Sequence, residues 1–459
     1  MHAKSLLLAC GAVAAASALA GCGSSQRTTS TRTAPRRPRS GSVPSFGGRV
    51  AAHSSDVVYE WGRYGGADPR GRSGHGAGNH GWSPSYGGWY RGGPSHVVRT
   101  PTPVAGIDGT VRQVASSNSD GYGLTTTGQV YAWGAGAQGE LGDGTTPTLS
   151  RTAVRVHFPA GVVIDRLADP MPFDGGIAID TRGHVWAWGN DQAHQFCQPR
   201  GADLKTPVRV PLSHVTLAAG AQMHAIYDAD GRIVSCGLSD YGQLGDGASG
   251  RSSTSGTPVA VSGLPAGRVV ALTSSYGDAG ALLADGSYYD WGYNRGGQLG
   301  DGTTAERTTA VHVSLPGRVA TVFQGGSLTD NGQTIALLSD GQLWEWGSGR
   351  FGQLGDGRRL NRTTPFRLTE PRGVRFVAVH SGGGANYAIG RRGGLWAWGL
   401  NFEGELGDGS AATLSTRPVR DPLDVGQVSS TANVVVALGR RQSSVSAVRH
   451  SVDRHPAPA

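Results

Sequence analysis

The feature that most constrains the fold is a short string that recurs along the chain. It reads GQVYAWG, GHVWAWG, GRIVSCG, GSYYDWG, GQLWEWG and GGLWAWG, starting at Gly128, Gly183, Gly231, Gly286, Gly341 and Gly393. A degenerate seventh copy, DVVYEWG, starts at Asp56. The Trp or Cys of successive copies is separated by 72, 55, 48, 55, 55 and 52 residues. Seven units of about fifty residues indicate a repeat architecture in which each unit buries its apolar face against its neighbours.

A second signal follows the Trp, or in one unit Cys236, by six residues in five units. It reads GELGDG or GQLGDG and starts at Gly139, Gly242, Gly297, Gly352 and Gly404. The combined pattern resembles the RCC1 repeat, whose consensus joins a Gly-x-Val-Tyr-x-Trp-Gly strand to GQLG through a link that contains Asn. Asn294 and Asn401 match that Asn, whereas four units have another residue there: Gly136, Asp191, Ser239 and Gly349. The resemblance implies an all-β fold, a seven-bladed β-propeller of RCC1-like repeats.

The turn residues favour the same architecture on physical grounds. Gly makes up 75 of the 459 residues, which suits many short strands joined by tight turns. An Asp-Gly pair stands between two apolar runs at Asp230, Asp285 and Asp340, which predicts hairpins in which both central residues have positive φ. The aspartates of GDG are expected to accept bonds from backbone NH groups: Asp143, Asp246, Asp301, Asp356 and Asp408.

The ends of the repeat array indicate how the ring closes. Pairs of apolar runs precede each hairpin turn, at 111–125, 165–179, 215–227, 269–283, 319–338, 375–389 and 426–438. No Trp strand follows the last of these pairs, and no pair precedes the first Trp strand, around Trp61. We therefore predict that the ring is closed by pairing of the N- and C-terminal strands within one blade.

The first 22 residues have the features of a lipoprotein signal. Lys4 precedes an apolar run from Leu6 to Leu19, and the run ends in LAGC at Cys22. This resembles the lipobox of bacterial lipoproteins, which implies lipidation of Cys22; an ordinary secretory peptide beside a Cys is the alternative. The resulting domain prediction divides the chain into a signal peptide (1–21), a flexible basic Ser/Thr/Pro-rich tether (22–52), a propeller (53–439) and a disordered basic tail (440–459). The protein is thus expected to be exported and held by lipid on the extracytoplasmic face of the cell membrane.

The positive charge lies at the two ends of the chain. Residues 1–52 hold seven Lys/Arg and no Asp/Glu, and residues 440–459 hold four Lys/Arg and one Asp. The 53–439 body then has 30 basic and 32 acidic residues, so it is close to neutral. A face that neutralises several phosphates of a nucleic acid is not indicated, and no nucleic-acid partner is expected.

The motifs of common catalytic sites are missing from the sequence. It contains no HExxH, no Gly-x-Ser-x-Gly and no P-loop, and we predict no enzyme, no cofactor and no metal. His75 and His80 with Asp68 match no metal-ligand spacing and are interpreted as a solvated loop. His224 is expected to be a buried structural residue, since the RCC1-like repeat often has a His at this point.

Aromatic residues provide the candidate binding sites. An insertion, 63–94, is rich in Gly and carries Tyr64, Trp82, Tyr86, Trp89 and Tyr90. These five residues could bind a partner or pack over the end of the propeller, and the sequence does not favour one role over the other. The links between the Trp strand and GxLG carry a second set, which could share one rim and for which core packing is favoured slightly over binding: Tyr241, Tyr293, Phe351 and Phe402.

Two cysteines remain in the predicted mature body. Cys236 stands at the Trp position of its unit, and Cys197 stands at the last Gly of HQFC, which replaces GQLG in the preceding unit. Two departures from the repeat pattern in adjacent units, both to Cys, suggest a disulfide between these residues. Two separate buried thiols are the alternative, because free Cys is itself often buried.

These observations favour a binding module for a protein or a cell-envelope polymer, anchored to the membrane. The resemblance to RCC1-like propellers adds a narrower alternative, since some secreted bacterial members inhibit β-lactamases with aromatic-rich loops. A polysaccharide-acting enzyme is a further alternative and would need paired carboxylates in the channel, such as Asp290 and Glu345. Guanine-nucleotide exchange on chromatin conflicts with export and with the near-neutral body.

Overall fold

The computed structural model describes residues 56–65, 95–199, 201–221, 224–248, 254–326 and 332–440. Within these ranges the secondary structure consists of 27 β-strands. No helix in the described part is long and apolar enough to cross a membrane. The described residues therefore form an all-β fold, as the sequence predicted.

The strands of the first four blades follow one another in chain order. Blade 1 has β3 (Val111–Ser116), β4 (Asp120–Thr125), β5 (Val130–Gly134) and β6 (Ser150–Arg155). Blade 2 has β7 (Ile164–Leu167), β8 (Gly175–Asp180), β9 (Val185–Gly189) and β10 (Leu204–Arg209). Blade 3 has β11 (Val215–Gly220), β12 (His224–Ala229), β13 (Arg232–Leu238) and β14 (Thr254–Ala260). Blade 4 has β15 (Val269–Ser274), β16 (Asp278–Leu283), β17 (Tyr288–Gly292) and β18 (Arg307–His312).

The remaining three blades include the closure. Blade 5 has β19 (Val319–Gly325), β20 (Gln333–Leu338), β21 (Leu343–Gly347) and β22 (Arg362–Arg367). Blade 6 has β23 (Phe376–Ser381), β24 (Ala385–Gly390), β25 (Gly394–Leu400) and the first part of β26 (Leu414–Ser430). Blade 7 has the rest of β26, then β27 (Val434–Arg440), β1 (Asp56–Gly65) and β2 (Ser95–Pro103). β1 continues to Gly65, so it includes three residues that the sequence analysis assigned to the insertion.

Blades 6 and 7 share one continuous sheet. Five sheets have four antiparallel strands each, and the sixth has seven strands in the order β2-β1-β27-β26-β25-β24-β23. The long strand β26 divides this sheet, because its first half pairs with β25 up to Asp424 and its second half pairs with β27 from Val425. Seven four-stranded blades result, with the first strand of each against the central channel.

The chain ends close the ring within blade 7. β1 pairs with β27 from Asp56↔Arg440 to Gly62↔Val434. The predicted sharing of one blade by the N- and C-terminal strands is confirmed. Residues far apart in sequence thus complete the last sheet, which leaves no open ring edge at this point.

The Trp of the third strand is the main core residue between blades. Trp61, Trp188, Trp291 and Trp346 are fully buried. The indole Nε1 of each donates to a carbonyl in the GxLG segment of the preceding blade, at 2.8–3.0 Å: Glu405, Glu140, Gln243 and Gln298. Each indole therefore combines apolar burial with a hydrogen bond that fixes one blade to the next.

Strand direction defines two faces of the propeller. The first and third strands of a blade run toward the same end, so their following connections lie together there. We call this end the link face; it carries the GxLG links and the connections between first and second strands. The opposite end, the hairpin face, carries the hairpins between second and third strands and the connections between blades.

The hairpin prediction is correct at one of the three Asp-Gly pairs. Both residues have positive φ only at Asp230 (51°) and Gly231 (71°). At the turns of Gly286 and Gly341 only the glycine has positive φ (87° and 86°), so the prediction for Asp285 was wrong, as was that for Asp340. The reason is one extra loop residue, which gives a type I turn followed by a left-handed Gly.

The prediction for the GDG aspartates is confirmed. In each case a side-chain oxygen accepts from the backbone NH two residues later, at 2.8–3.0 Å: Asp143, Asp246, Asp301, Asp356 and Asp408. These Asx turns fix the loop that follows each Trp link.

Candidate functional site

The GxLG links form rigid platforms on the link face. The side chain of the second GxLG residue turns back and accepts from a backbone NH two residues earlier, at 2.7–2.9 Å: Gln243, Gln298, Gln353 and Glu405. Asn294 adds a second clamp, because its Nδ2 donates to Ala305 O at 2.9 Å and its Oδ1 accepts from Leu299 N at 3.0 Å. Residues on these links are therefore held in fixed positions.

The four link aromatics of the sequence analysis meet in two pairs. The rings of Tyr241 and Tyr293 are 4.8 Å apart and join blades 3 and 4. The rings of Phe351 and Phe402 are 6.5 Å apart and join blades 5 and 6. Tyr293 is 3% exposed, so it is a core residue, whereas Phe402 is 39% exposed. All four lie on the link face, where Phe402 and Leu360, the latter 61% exposed, present apolar surface to solvent.

Arginines flank both pairs. The guanidinium carbon of Arg295 lies 5.8 Å from the centre of the Tyr293 ring, and that of Arg350 lies 5.7 Å from the Phe351 ring. Tyr276, on the connection between β15 and β16, lies near Tyr241, and burial raises its pKa to about 12. Tyr276 was missed in the sequence because it stands outside the repeated strings.

The other binding candidates are not placed by the structure. Trp82, Tyr86, Trp89 and Tyr90 lie outside the described residues, as do His75, His80 and Asp68. Tyr64 is in β1, but its side chain is not described. The strands on either side are informative, because β1 ends at Gly65 and β2 begins at Ser95, both on the link face. The insertion therefore leaves and re-enters the fold at this face.

A polar bridge crosses the channel. Asp169, after the first strand of blade 2, accepts from His380 Nε2 of blade 6 and from Ser429 Oγ of blade 7, both at 3.0 Å. The Nδ1 of His380 accepts from Ser430 N at 3.3 Å, so Nε2 carries the proton. This bridge was not predictable from local sequence patterns, since His380 and Ser429 lie 211 and 260 residues from Asp169.

A small cavity lies at the link-face end of the channel. Pro170, Tyr276, Gln324, Ser381 and Thr431 line it, and it has room for about one water molecule. It is far smaller than a pocket for a sugar or a cofactor. The link-face surface around the channel, rather than its interior, is therefore available to a partner.

The carboxylates proposed for an enzyme do not meet in an open cleft. Asp290 and Glu345 are completely buried, and burial raises the pKa of both. The acid that shares a partner with Asp290 is Asp278: Gln324 Nε2 donates to both, at 2.7 and 3.1 Å. Among the described residues, no group of three or more His, Cys, Asp or Glu is arranged to hold a metal ion.

His224 has the buried structural position that the sequence predicted. It is completely buried, and its Nε2 lies 2.9 Å from Ser274 Oγ of the next blade. Burial lowers its pKa to about 3, which keeps the imidazole neutral. His224 therefore joins blades 3 and 4 and is not accessible as a ligand.

Cys197 and Cys236 form a disulfide between blades 2 and 3. Their Cα atoms are 5.2 Å apart and both residues are buried. Of the two alternatives that the sequence left open, the structure contains the bridge.

Seven blades around a channel, closed by both chain ends, define a β-propeller of repeated units. The family model of the regulator of chromosome condensation (RCC1) repeat matches residues 340–389, which span parts of blades 5 and 6. With the same strings in the other units and the propeller fold, this makes the chain an RCC1-like β-propeller.

Similar proteins come from several eukaryotes. The chain is 27% identical over 402 residues to the ultraviolet-B receptor UVR8 of Arabidopsis thaliana, covering 85% of this chain and 84% of UVR8. It is also 27% identical over 344 residues to the E3 ubiquitin-protein ligase HERC2 of Homo sapiens, which is 73% of this chain but only 7% of HERC2. The yeast RCC1 protein Prp20, solved in complex with Kap60, superimposes with a TM-score of 0.69 at 18% identity, covering 91% of this chain and 97% of Prp20.

Proposed function

We propose that this chain is an exported, lipid-anchored propeller that binds a protein partner through its link face. The observation that carries this proposal is the arrangement of the link aromatics. Four aromatic residues from four blades lie on one face as two pairs, with Phe402 left exposed. Both ends of the aromatic insertion attach to the same face. Aromatic side chains flanked by Arg are typical of energetic centres in protein interfaces.

The relatives support a protein partner. The solved Prp20 structures are described as bound to Kap60 and as having binding properties toward Gsp1p and histones. The channel cavity, formed by described residues, supports the same conclusion, because room for about one water molecule is too small for a small-molecule ligand.

The test of the interface is affinity capture from the cell envelope with the intact chain as bait. Phe402→Ser removes exposed aromatic surface from the link face, and Trp82→Ala and Trp89→Ala are combined with it because both ends of their insertion attach to this face. We expect capture of the partner to weaken at least tenfold, since an anchor residue contributes about 2 kcal/mol or more. Val163→Ser is the matched control, because Val163 is 45% exposed but lies on the hairpin face. Equal capture by the triple variant and the parent would exclude the link face.

Lipid anchoring rests on the LAGC string and is supported by the disulfide. A disulfide between Cys197 and Cys236 is typical of a protein folded outside the reducing cytosol. Cys22→Ser should move the protein from the detergent phase to the aqueous phase, because the attached chains would be lost. Unchanged partitioning would overturn the anchor and leave the link-face interface untouched.

A further inference from the structure

The hairpin face of blades 5 and 6 carries a cluster of exposed arginines. They lie at the end of β22, in the connection to β23 and in the hairpin between β24 and β25; we call them the basic patch: Arg367, Arg372, Arg375, Arg391 and Arg392. The backbone NH of Arg391 donates to Arg375 O at 2.9 Å, so the connection and the hairpin adjoin. Five guanidinium groups are thus gathered on one side of the fold.

Acidic side chains neutralise the basic patch only in part. The adjoining segments contain three acids: Asp340, Glu370 and Asp424, which lies beside Gly393. Both carboxylate oxygens of Asp340 accept from Gln342, and Asp424 pairs with Arg420 at 2.5 Å. Glu370 is half-buried and interacts electrostatically with Arg367 and Arg375. The five exposed arginines outnumber Asp340 and Glu370, and Arg420 offsets Asp424, so the patch carries a net positive charge although the 53–439 body is close to neutral.

The two basic ends of the chain join the fold at the same face. The third strand of blade 7 begins at Asp56 and the second strand ends at Arg440, and these two residues pair on the hairpin face. Residues 22–52 contain six Arg and no acid, and residues 440–459 contain four Arg and one Asp. The segment that carries Cys22 therefore enters the propeller on the side of the basic patch.

We propose that the hairpin face docks on the anionic headgroups of a lipid bilayer, with the basic patch in contact with their phosphates. Arginine suits this contact because its guanidinium presents several donors to phosphate oxygens. The proposal rests on the lipid anchor of the proposed function, since the segment bearing Cys22 enters at this face. It adds an orientation: the hairpin face lies on the membrane, and the aromatic link face points away from it toward the protein partner.

The test measures sedimentation of the full-length Cys22→Ser chain with vesicles. One set contains equal parts of phosphatidylglycerol and phosphatidylcholine, and the other contains phosphatidylcholine alone. We expect binding to the anionic vesicles that weakens as salt is added, and little binding to the neutral ones. In the same background, Arg372→Gln, Arg391→Gln and Arg392→Gln together should weaken binding at least about tenfold, because each Arg near an anionic surface contributes roughly fivefold.

A matched control variant tests whether vesicle binding depends on where the positive charges lie or only on how many there are. Arg151→Gln, Arg358→Gln and Arg359→Gln remove the same charge from exposed positions at the link-face end of the fold, and this variant should bind as the Cys22→Ser chain does. Equal losses in the two triple variants would overturn the proposal, and so would an unchanged patch variant, which would assign binding to the basic ends alone. Tight patch-dependent binding of soluble polyphosphate with weak vesicle binding would also overturn it, in favour of a soluble polyanion. Because Cys22→Ser lacks the lipid, these results are independent of whether Cys22 is acylated.

Discussion

The Cys197–Cys236 disulfide occupies the place at which five other blade joints have a Gly–Trp contact. In those joints a Cβ on the last Gly of GxLG would lie 2.7–2.9 Å from the indole of the next blade: Gly142, Gly245, Gly300, Gly355 and Gly407. Cys197 keeps the positive φ of such a glycine, at 55°, and faces a residue that lacks an indole. The covalent bond thus replaces the Trp in fixing one blade to the next.

Loss of this bridge should weaken the joint between blades 2 and 3. We expect Cys197→Ser to lower the free energy of unfolding by about 3–4 kcal/mol, because the bridge closes a loop of 39 residues. Urea unfolding with and without reductant is the measurement. Reductant should lower the free energy of unfolding of the parent and leave that of the variant unchanged. The prediction would be contradicted if the parent unfolded at the same urea concentration with and without reductant.

Restoring the repeat pattern should compensate for the lost bridge. Cys236→Trp alone is expected to destabilise, because the indole would meet the Cys197 side chain, whereas Cys197→Gly with Cys236→Trp recreates the Gly–Trp contact of the other joints. A double-mutant cycle should show a favourable coupling of at least about 1 kcal/mol between the two substitutions. Additive effects would mean that the two positions do not compensate for each other.

Much of this architecture could be predicted from the sequence because its signals are local and repeated. The Trp strand, GxLG and the GDG aspartates recur at fixed spacing, and the unmatched pieces around Trp61 and 426–438 fixed the closure. The hairpin at Asp285 was mispredicted because one extra loop residue changes the turn type while the Asp-Gly string stays the same. The turn type depends on the register between the two strands, which cannot be read from the Asp-Gly string.

The candidate site was less predictable because it depends on contacts between blades. The link aromatics were recognised, yet the pairing of Phe351 with Phe402 is a contact between blades 5 and 6, which a string repeated within each blade does not indicate. The bridge from Asp169 to His380 has no counterpart in the other units, so the repeat could not indicate it. The basic patch likewise combines Arg367 with Arg391 from segments that become adjacent only when blade 6 forms.

Opening the ring should destabilise the whole propeller. Deletion of 426–439 removes β27 and the second half of β26, which leaves β1 and β2 without the rest of their sheet. We expect a large decrease in Tm measured by circular dichroism. Deletion of 443–459, outside the described residues, is the control and should leave the Tm unchanged. A deletion of 426–439 that melted as the parent does would contradict closure through blade 7.

The cross-channel bridge should depend on the acceptor oxygen of Asp169. Asp169→Ala leaves the donors of His380 and Ser429 without their acceptor, at an expected cost of about 1–3 kcal/mol in the free energy of unfolding. Asp169→Asn keeps one acceptor oxygen and should cost clearly less. Urea unfolding compares the two variants, and equal losses would show that the oxygen does not matter.

Glu405 should make the stability of the propeller depend on pH. It is 1% exposed, and burial raises its pKa to about 7. Gln353 holds the equivalent position in blade 5 with the same hydrogen bond to a backbone NH, so Glu405→Gln preserves the link. The substitution therefore changes the charge of a buried group and little else.

The direction of the effect follows from where each state holds the proton. Below about pH 4.5 both the folded and the unfolded protein keep Glu405 protonated, and its contribution to stability is fully present. As the pH rises toward 7 the unfolded chain releases this proton and the folded chain retains it, so the free energy of unfolding decreases; above about pH 7 the loss is complete. Glu405→Gln should thus stabilise the protein at pH 8, by on the order of 2 kcal/mol, with little effect at pH 4. The reciprocal variant Gln353→Glu should lose stability at pH 8 but not at pH 4. Urea unfolding of each variant at the two pH values is the measurement. If a variant changed the free energy of unfolding by the same amount at pH 4 and at pH 8, the burial of a charge at this position would be refuted.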